Sequence, residues 1–309
     1  MPGIVKLRYI LPSIIMGNMF EWFDFSIFGY MAPFISKLFF PEISQSFSII
    51  ATFTVFLTGY VARPIGSMFF GYYADKFGRK ISLSLSILIM AIATCLIGIL
   101  PTYSSIGIFA CLLLSLLRII QGFAIGGEFT ISIVYLIESA PESKNGLFGS
   151  CTMLGTFIGL FLGSVSIAIL NIFFTNNQLA EFAWRIPFIF SLVIGLFGLI
   201  LRIRLTETTE FIALLNKNST LDNPIKSVIS RNYGTLLMAI CIVSLGACAF
   251  TLCFVWLPTY LKLYSKMNPS YILLMNSSNL LICGVTIKTR LLGSEIASIQ
   301  VYIVFYPKI

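Results

Sequence analysis

The sequence predicts an all-α polytopic membrane protein, and its composition carries that prediction. Only 10% of the 309 residues are charged, 58% are hydrophobic, and the mean hydropathy is +0.95. A soluble domain has about 25% charged residues and lacks repeated apolar runs of about 20 residues, the length that crosses a bilayer core as a helix. A soluble enzyme is therefore excluded. Nucleic-acid binding is also disfavoured, because the net charge of +8 lies in short clusters and not on one basic face.

Eight apolar runs are candidates for membrane-spanning helices. They cover residues 10–36, 47–72, 82–101, 105–135, 146–174, 184–203, 234–258 and 271–287. The last is marginal, because the polar residues 276–279 interrupt it. A long polar stretch follows the sixth run. We therefore expect four parts: a six-helix bundle at 1–204, a central cytoplasmic loop at 205–232, the first two helices of a second bundle at 233–287, and a divergent tail at 288–309.

The distribution of Lys and Arg predicts the orientation in the membrane. Cations between the runs would lie mainly on the side of the N-terminus, which the positive-inside rule assigns to the cytoplasm. That side holds Lys6, Arg8, Lys76, Arg79, Lys80, Lys144, Arg202, Arg204, Lys217, Lys226 and Arg231, and the other side holds Lys37, Lys262 and Lys266. The first run is too long for the core of a cleavable signal peptide. We expect a multi-pass protein of the inner (plasma) membrane with a cytoplasmic N-terminus.

The chain contains no His, and its seven Cys are scattered through apolar segments. The commonest metal ligand and the usual neutral-pH proton carrier are therefore missing, so we expect no metal and no cofactor. Any proton chemistry would then fall to carboxylates, with a proton gradient as the energy source.

The segment GYYADKFGRK at 71–80 places Gly and four charged residues between the second and third runs. A basic loop with glycines for close packing would explain such a cluster in general. The spacing of Gly71, Asp75, Gly78, Arg79 and Lys80, however, resembles the signature loop of the major facilitator superfamily. That resemblance implies a conformational latch, in which Asp75 pairs with the loop arginine and caps the positive end of a helix in the opposite half.

The fourth run contains RIIQGFAIGGEF, with Arg118 near its middle. An ionised side chain there costs several kcal/mol unless it faces a partner or water. Arg118 could be a packing arginine paired with a neighbouring carboxylate. Alternatively, Arg118 and Gln121 resemble the superfamily element associated with proton coupling. Glu128 lies two helical turns beyond Gln121, and the resemblance implies that it belongs to the latch and pairs with Arg79.

The first run carries Glu21 and Asp24 three residues apart, on one helical face within an aromatic stretch. The two acids could handle substrate and protons, or they could form structural pairs with Arg63 or Arg118. Together with RPIG at 63–66, GGEFT at 126–130 and the segment that begins WRIPF at 184, this stretch resembles the metabolite:proton symporter branch of the superfamily. The similarity covers roughly residues 10–285 and is greatest to proline/glycine betaine carriers.

The resemblance implies proton-coupled import of a small zwitterion, such as proline or glycine betaine, by alternating access across the lipid bilayer. Proton coupling would involve Glu21, Asp24 and Arg118. Arginine suits the carboxylate of the solute, and aromatic faces suit its cationic nitrogen. The expected substrate-binding residues are Trp22, Phe25, Tyr30, Arg118 and Gln121.

Two alternatives accompany this reading. Gly146, Gly155, Gly159 and Gly163 resemble the glycine signature of drug:proton antiporters, but Leu160 replaces its distinctive proline, and close helix packing also explains the glycines. The resemblance further implies twelve spans, whereas the sequence has about eight and no second loop signature after the eighth. We therefore expect a truncated transporter, which could be a non-transporting remnant.

Overall fold

The computed structural model describes residues 2–140, 145–208, 211–213, 233–265 and 267–291. Regular secondary structure within these ranges is helical, which confirms the all-α prediction. The first bundle has six long helices. In chain order they are α1 (Pro2–Phe39), α2 (Gln45–Phe77), α3 (Arg79–Ile99), α4 (Ile108–Ser139), α5 (Asn145–Phe173) and α6 (Arg185–Ile203).

Two further helices follow the central loop. α7 comprises an α-helix, a π-helical turn and a second α-helix, at Tyr233–Thr251, Leu252–Trp256 and Leu257–Tyr264. α8 is Pro269–Leu291. It runs without a break through the polar residues 276–279, because Asn276 Nδ2 donates to Tyr30 Oη at 2.7 Å and Ser277 Oγ donates to the Leu273 carbonyl at 2.8 Å. Residues 292–309 of the predicted tail lie outside the described residues.

Six helical segments of the described chain are long and apolar enough to cross a membrane. They are Gln45–Phe77, Arg79–Ile99, Ile108–Ser139, Cys151–Phe173, Arg185–Ile203 and Ile240–Tyr264. α1 is not among them, although it lies at the centre of the bundle with most of its side chains buried. A central helix is surrounded by protein and can therefore carry buried acids. On the outer helices, apolar side chains such as Leu57, Val61 and Phe197 are exposed, as a lipid environment requires.

Glycines bring α5 against α1. A Cβ atom at Gly155 would lie 2.7 Å from the Ile15 carbonyl oxygen, and one at Gly159 would lie 2.9 Å from the Phe23 nitrogen. Any larger residue would push the helices apart. The close packing that the sequence predicted for these glycines is confirmed.

A second close contact joins α2 and α4. A Cβ atom at Gly122 would lie 2.6 Å from the Gly59 Cα atom, and one at Gly59 would lie 3.0 Å from the Arg118 carbonyl oxygen. The two backbones thus cross in contact. This crossing holds Arg63 of α2 and Arg118 of α4 on the side that faces α1.

The second set of helices packs on α1 and α5 through hydrogen bonds to backbone carbonyls. Thr259 Oγ1 donates to the Gly29 carbonyl at 3.1 Å, and Ser164 Oγ donates to the Leu273 carbonyl at 2.8 Å. Tyr30 Oη donates to the carbonyl of Phe254, within the π-helical turn, at 2.8 Å. α7 and α8 are therefore joined to the first bundle by buried polar contacts.

Candidate functional site

Two buried acids of α1 form the centre of the candidate site. Glu21 is 2% exposed and Asp24 is fully buried. They lie on one face of α1, as the spacing predicted, but they contact different helices. Glu21 faces Arg63 of α2, whereas Asp24 faces α4. Each acid has its own arginine, so both pairings that the sequence left open are present.

Asp24 accepts hydrogen bonds from one side-chain amide. Gln121 Nε2 lies 3.0 Å from both Asp24 carboxylate oxygens and also donates to Thr94 Oγ1 at 2.7 Å. The Asp24 Oδ2 atom lies 3.7 Å from Arg118 Nη1, which donates to Gln121 Oε1 at 2.7 Å. Gln121 therefore bridges Asp24 and Arg118, because its amide nitrogen donates to the acid and its amide oxygen accepts from the arginine.

Arg118 is held by aromatic rings as well as by polar groups. Its guanidinium carbon lies 4.3 Å from the centre of the Phe28 ring and 4.9 Å from that of Phe56. Ring faces attract cations, most strongly where water is excluded. The side chain is only 5% exposed, and its Nε atom is buried without a hydrogen-bond partner.

The Glu21–Arg63 pair is looser. Arg63 Nη1 lies 3.8 Å from Glu21 Oε1, beyond hydrogen-bonding distance. The Arg63 guanidinium carbon lies 4.5 Å from the centre of the Tyr60 ring. Glu21 Oε2 and the neighbouring Trp22 Nε1 are buried without a hydrogen-bond partner. This part of the site has unused hydrogen-bonding capacity on both the acid and the cation.

The other predicted substrate residues fall into two groups. The Trp22 ring contacts Phe25 and Phe250, with 5.3 Å between ring centres in each case, and the centre of the Phe25 ring lies 5.9 Å from the Arg63 guanidinium carbon. Tyr30 lies apart from the acids, and its hydroxyl group is bound to the Phe254 carbonyl and Asn276. Tyr30 thus contacts α7 and α8.

The expected contact between Glu128 and Arg79 is wrong. Glu128 instead pairs with Arg202 of α6, and both side chains are buried. Ser86 Oγ donates to Glu128 Oε2 at 2.7 Å, and Arg202 Nη1 donates to the same oxygen at 2.7 Å. Glu128 therefore contacts α3 through Ser86 and α6 through Arg202. Sequence reasoning used Arg202 only as a topological charge, although an arginine in an apolar run is itself a signal of a buried partner.

The loop signature forms a polar cluster at the end of the bundle where α2 leads into α3. Arg79 pairs with Asp75, as predicted, and with Glu138 of α4 at 3.3 Å. Gly78 joins the two helices with a φ of 111°, a conformation that glycine adopts without strain. A Cβ atom at Gly71 would meet no heavy atom of the described chain within 4 Å, so the tight packing expected there is not observed. The predicted contact of Asp75 with a helix of the opposite half stays a prediction.

A carboxylate from the central loop caps α3. The backbone N–H groups of Arg79 and Lys80 donate to Glu207 Oε1 and Oε2 at 3.0 and 3.2 Å. A negative charge is favoured there because the first N–H groups of a helix lack internal partners and carry partial positive charge. Sequence reasoning placed Glu207 in a polar loop and missed this role. The only signal was an acid shortly after the sixth span.

The helices of the first bundle pack around a central α1 that carries two buried acids, with arginines on the facing helices and a charged loop at one end. Two solved structures share this fold. A D-xylose–proton symporter matches with a TM-score of 0.69 and 17% identity over 91% of this chain and 67% of its own. The xylose transporter XylE from E. coli, in a partially occluded inward-open conformation, matches with a TM-score of 0.68 and 17% identity over 91% and 69%.

The chain belongs to the sugar (and other) transporter family, whose model matches residues 10–231. It is 34% identical to the proline/betaine transporter of Salmonella typhimurium over 83% of this chain and 53% of that protein. It is 40% identical to a putative proline/betaine transporter of Staphylococcus aureus over 67% and 44%. The chain thus spans about half the length of the curated relatives it matches. These relatives are transporters, in agreement with the prediction that the chain is not an enzyme.

Proposed function

We propose that the chain acts in proton-coupled symport and imports a small zwitterionic solute such as proline or glycine betaine. The observation that carries this proposal is the buried cluster of Asp24, Gln121 and Arg118. The names of the relatives support the solute class, and the name of the structural neighbour supports proton coupling. The energy source is the proton gradient, and no cofactor takes part.

Asp24 is the proton carrier in this mechanism. An ionised carboxylate inside a membrane is costly, and here Gln121 and Arg118 offset that cost. Protonation from outside removes the negative charge and weakens the attraction to Arg118. The carrier with both proton and solute bound can then switch between outward-facing and inward-facing states at lower cost, because the Asp24–Arg118 attraction no longer holds α1 to α4. Gln121 and the Phe28 and Phe56 rings still offset the charge of Arg118 in that state.

The proposed orientation places the N-terminus and the Asp75–Arg79 loop in the cytoplasm, in a plasma membrane. The Arg79 interactions with Asp75 and Glu138 would hold the cytoplasmic ends of α2, α3 and α4 together in one state of the cycle. Opening towards the cytoplasm would require some of these interactions to break.

The test is uptake of radiolabelled proline and glycine betaine into proteoliposomes, with and without an inward proton gradient. We expect gradient-dependent accumulation by the unmodified chain. Asp24→Asn should abolish accumulation while retaining solute exchange between the two sides, because exchange needs no net proton movement. Glu42→Gln, which alters an exposed acid in the loop before α2, is the matched control.

Unchanged accumulation by Asp24→Asn would contradict the role of Asp24. Solute efflux driven by the same gradient would favour an antiporter. Correctly inserted chain that accumulates neither solute would contradict the proposal for this chain and favour a non-transporting remnant.

A further inference from the structure

We propose that Arg63 and Glu21 form the solute-recognition pair, in which Arg63 binds the carboxylate of the zwitterion and Glu21, with the Tyr60 ring, binds its cationic nitrogen. This inference rests on the proposed function and deepens it, because it separates the solute site from the proton site at Asp24. Sequence reasoning favoured Arg118 for the carboxylate.

Arg63 is the more available of the two central arginines. Its side chain is 24% exposed, against 5% for Arg118. Arg118 donates to Gln121 at 2.7 Å, whereas Arg63 makes no hydrogen bond within the described chain, and its ion pair with Glu21 spans 3.8 Å. A guanidinium group has five N–H donors in a fork that fits a carboxylate in a bidentate arrangement. Arg63 can offer that fork without breaking any existing hydrogen bond.

Glu21 and Trp22 supply the complementary polar atoms. Glu21 Oε2 and Trp22 Nε1 are buried and lack hydrogen-bond partners. Buried polar atoms of native proteins are nearly always satisfied, because leaving one unpaired costs free energy. Glu21 Oε2 belongs to the carboxylate whose other oxygen lies 3.8 Å from Arg63, so this pair indicates a place where a polar ligand completes the hydrogen bonding, and the Trp22 N–H is a further unpaired donor on the next residue.

Aromatic rings surround the same pair. The Arg63 guanidinium carbon lies 4.5 Å from the centre of the Tyr60 ring and 5.9 Å from that of Phe25. The Trp22 ring contacts Phe250 of α7. Ring faces attract cationic nitrogen, including quaternary ammonium groups that cannot donate hydrogen bonds. A solute nitrogen between Glu21 and these rings would therefore be favoured by both kinds of group.

The charge balance selects a zwitterion. Glu21 and Arg63 neutralise each other when the site is empty, and a bound zwitterion adds one charge of each sign and no net charge. Arg63 then has the carboxylate of the solute as a partner, and Glu21 has its cationic nitrogen. A solute with only a carboxylate or only a cationic nitrogen would leave one unpaired charge in the interior, which is costly.

The experiment measures binding of radiolabelled glycine betaine to the full purified chain in lipid nanodiscs. Two competitors each lack one charge: choline replaces the carboxylate by a hydroxymethyl group, and 3,3-dimethylbutanoate replaces the quaternary nitrogen by carbon. For the unmodified chain we expect each competitor to bind at least about tenfold more weakly than glycine betaine, the factor that corresponds to losing one charge-assisted contact.

Variants assign each charge to a residue. Arg63→Gln should abolish the preference for glycine betaine over choline, and Glu21→Gln should abolish the preference over 3,3-dimethylbutanoate. Arg63→Lys should retain part of the preference for glycine betaine over choline, because lysine keeps the positive charge but cannot bind a carboxylate in a bidentate arrangement. Arg204→Gln removes an exposed cation beyond α6 and should leave both preferences unchanged.

Choline binding to the unmodified chain as tightly as glycine betaine would overturn the inference without any variant. Arg63→Gln that keeps its preference, or Arg118→Gln that loses it instead, would also overturn it. If no zwitterion binds, both this inference and the transport proposal fail. Zwitterion binding with the expected variant effects but without proton-driven accumulation contradicts only the transport proposal.

Discussion

Glu128 of α4 and Arg202 of α6 form a buried ion pair, and neither side chain is more than 1% exposed. Arg202 also donates to the Leu83 carbonyl of α3, and Ser132 Oγ donates to Glu128 Oε1 at 3.3 Å. A Cβ atom at Gly17 of α1 would lie only 2.7 Å from Arg202 Cζ. One pair of charges therefore connects four helices of the first bundle.

Breaking this pair on one side should be strongly destabilising. Glu128→Gln or Arg202→Met alone should lower stability by about 3–5 kcal/mol, because each leaves a buried charge without its partner. The double variant should lose less stability than the two single variants lose together. Thermal unfolding of the purified chain, with all variants in one detergent, measures this coupling. Additive losses would show that the two charges do not interact.

The Glu207 cap should control the start of α3. Glu207→Ala removes the acceptor for two backbone N–H groups and should lower local stability by about 0.5–2 kcal/mol, as for other helix caps. The readout is hydrogen–deuterium exchange at the amides of Arg79 and Lys80, which should become faster. Glu42→Gln serves as the control for loss of an exposed acid. Unchanged protection at both amides would contradict the cap.

Gly122 and Gly71 should respond differently to the same substitution. Gly122→Ala places a Cβ atom against the Gly59 backbone and should separate α2 from α4. Gly71→Ala adds a Cβ atom that meets nothing within 4 Å and should leave stability unchanged or raised, since Ala favours a helix over Gly. The measurement is the yield of monodisperse protein and its thermal midpoint. A loss at Gly71→Ala equal to that at Gly122→Ala would contradict the tight contact of Gly122 and the open space around Gly71.

The hydroxyl group of Tyr30 should hold α8 and the π-helical turn of α7 to α1. Tyr30→Phe leaves the Phe254 carbonyl and Asn276 with one partner fewer, which should cost about 1–3 kcal/mol. Hydrogen–deuterium exchange should become faster in α8 and remain unchanged in α3. Tyr271→Phe removes an exposed hydroxyl group from α8 and is the control. Equal effects of the two variants would contradict the role of Tyr30.

The sequence predicted which residues are unusual, but their partners were harder to predict. An acid or arginine in an apolar run must find a partner because hydrocarbon cannot solvate it, and on that ground Glu21, Asp24 and Arg118 were singled out. The pairings that the sequence left open are present, and the predicted role of these residues in proton coupling stays a prediction. The partner depends on which helix lies opposite. Glu128 was assigned to Arg79, yet its side chain points to α6. Glu207 was missed because a loop acid gives no sign of the helix end to which it returns.

The sequence by itself determined that this protein is a helical membrane protein, because helix length and hydropathy are local properties set by the bilayer. It also carried the loop segment at 71–80 that resembles the signature of the superfamily, and the glycine spacing that predicted close helix packing. Only the tertiary structure decided how the charges pair: Asp24 with Gln121 and Arg118, Glu21 loosely with Arg63, and Glu128 with Arg202. The physical reason is that a side chain's face on its own helix follows from periodicity, whereas its neighbour follows from how the helices cross, and that depends on close contacts such as the one between Gly59 and Gly122.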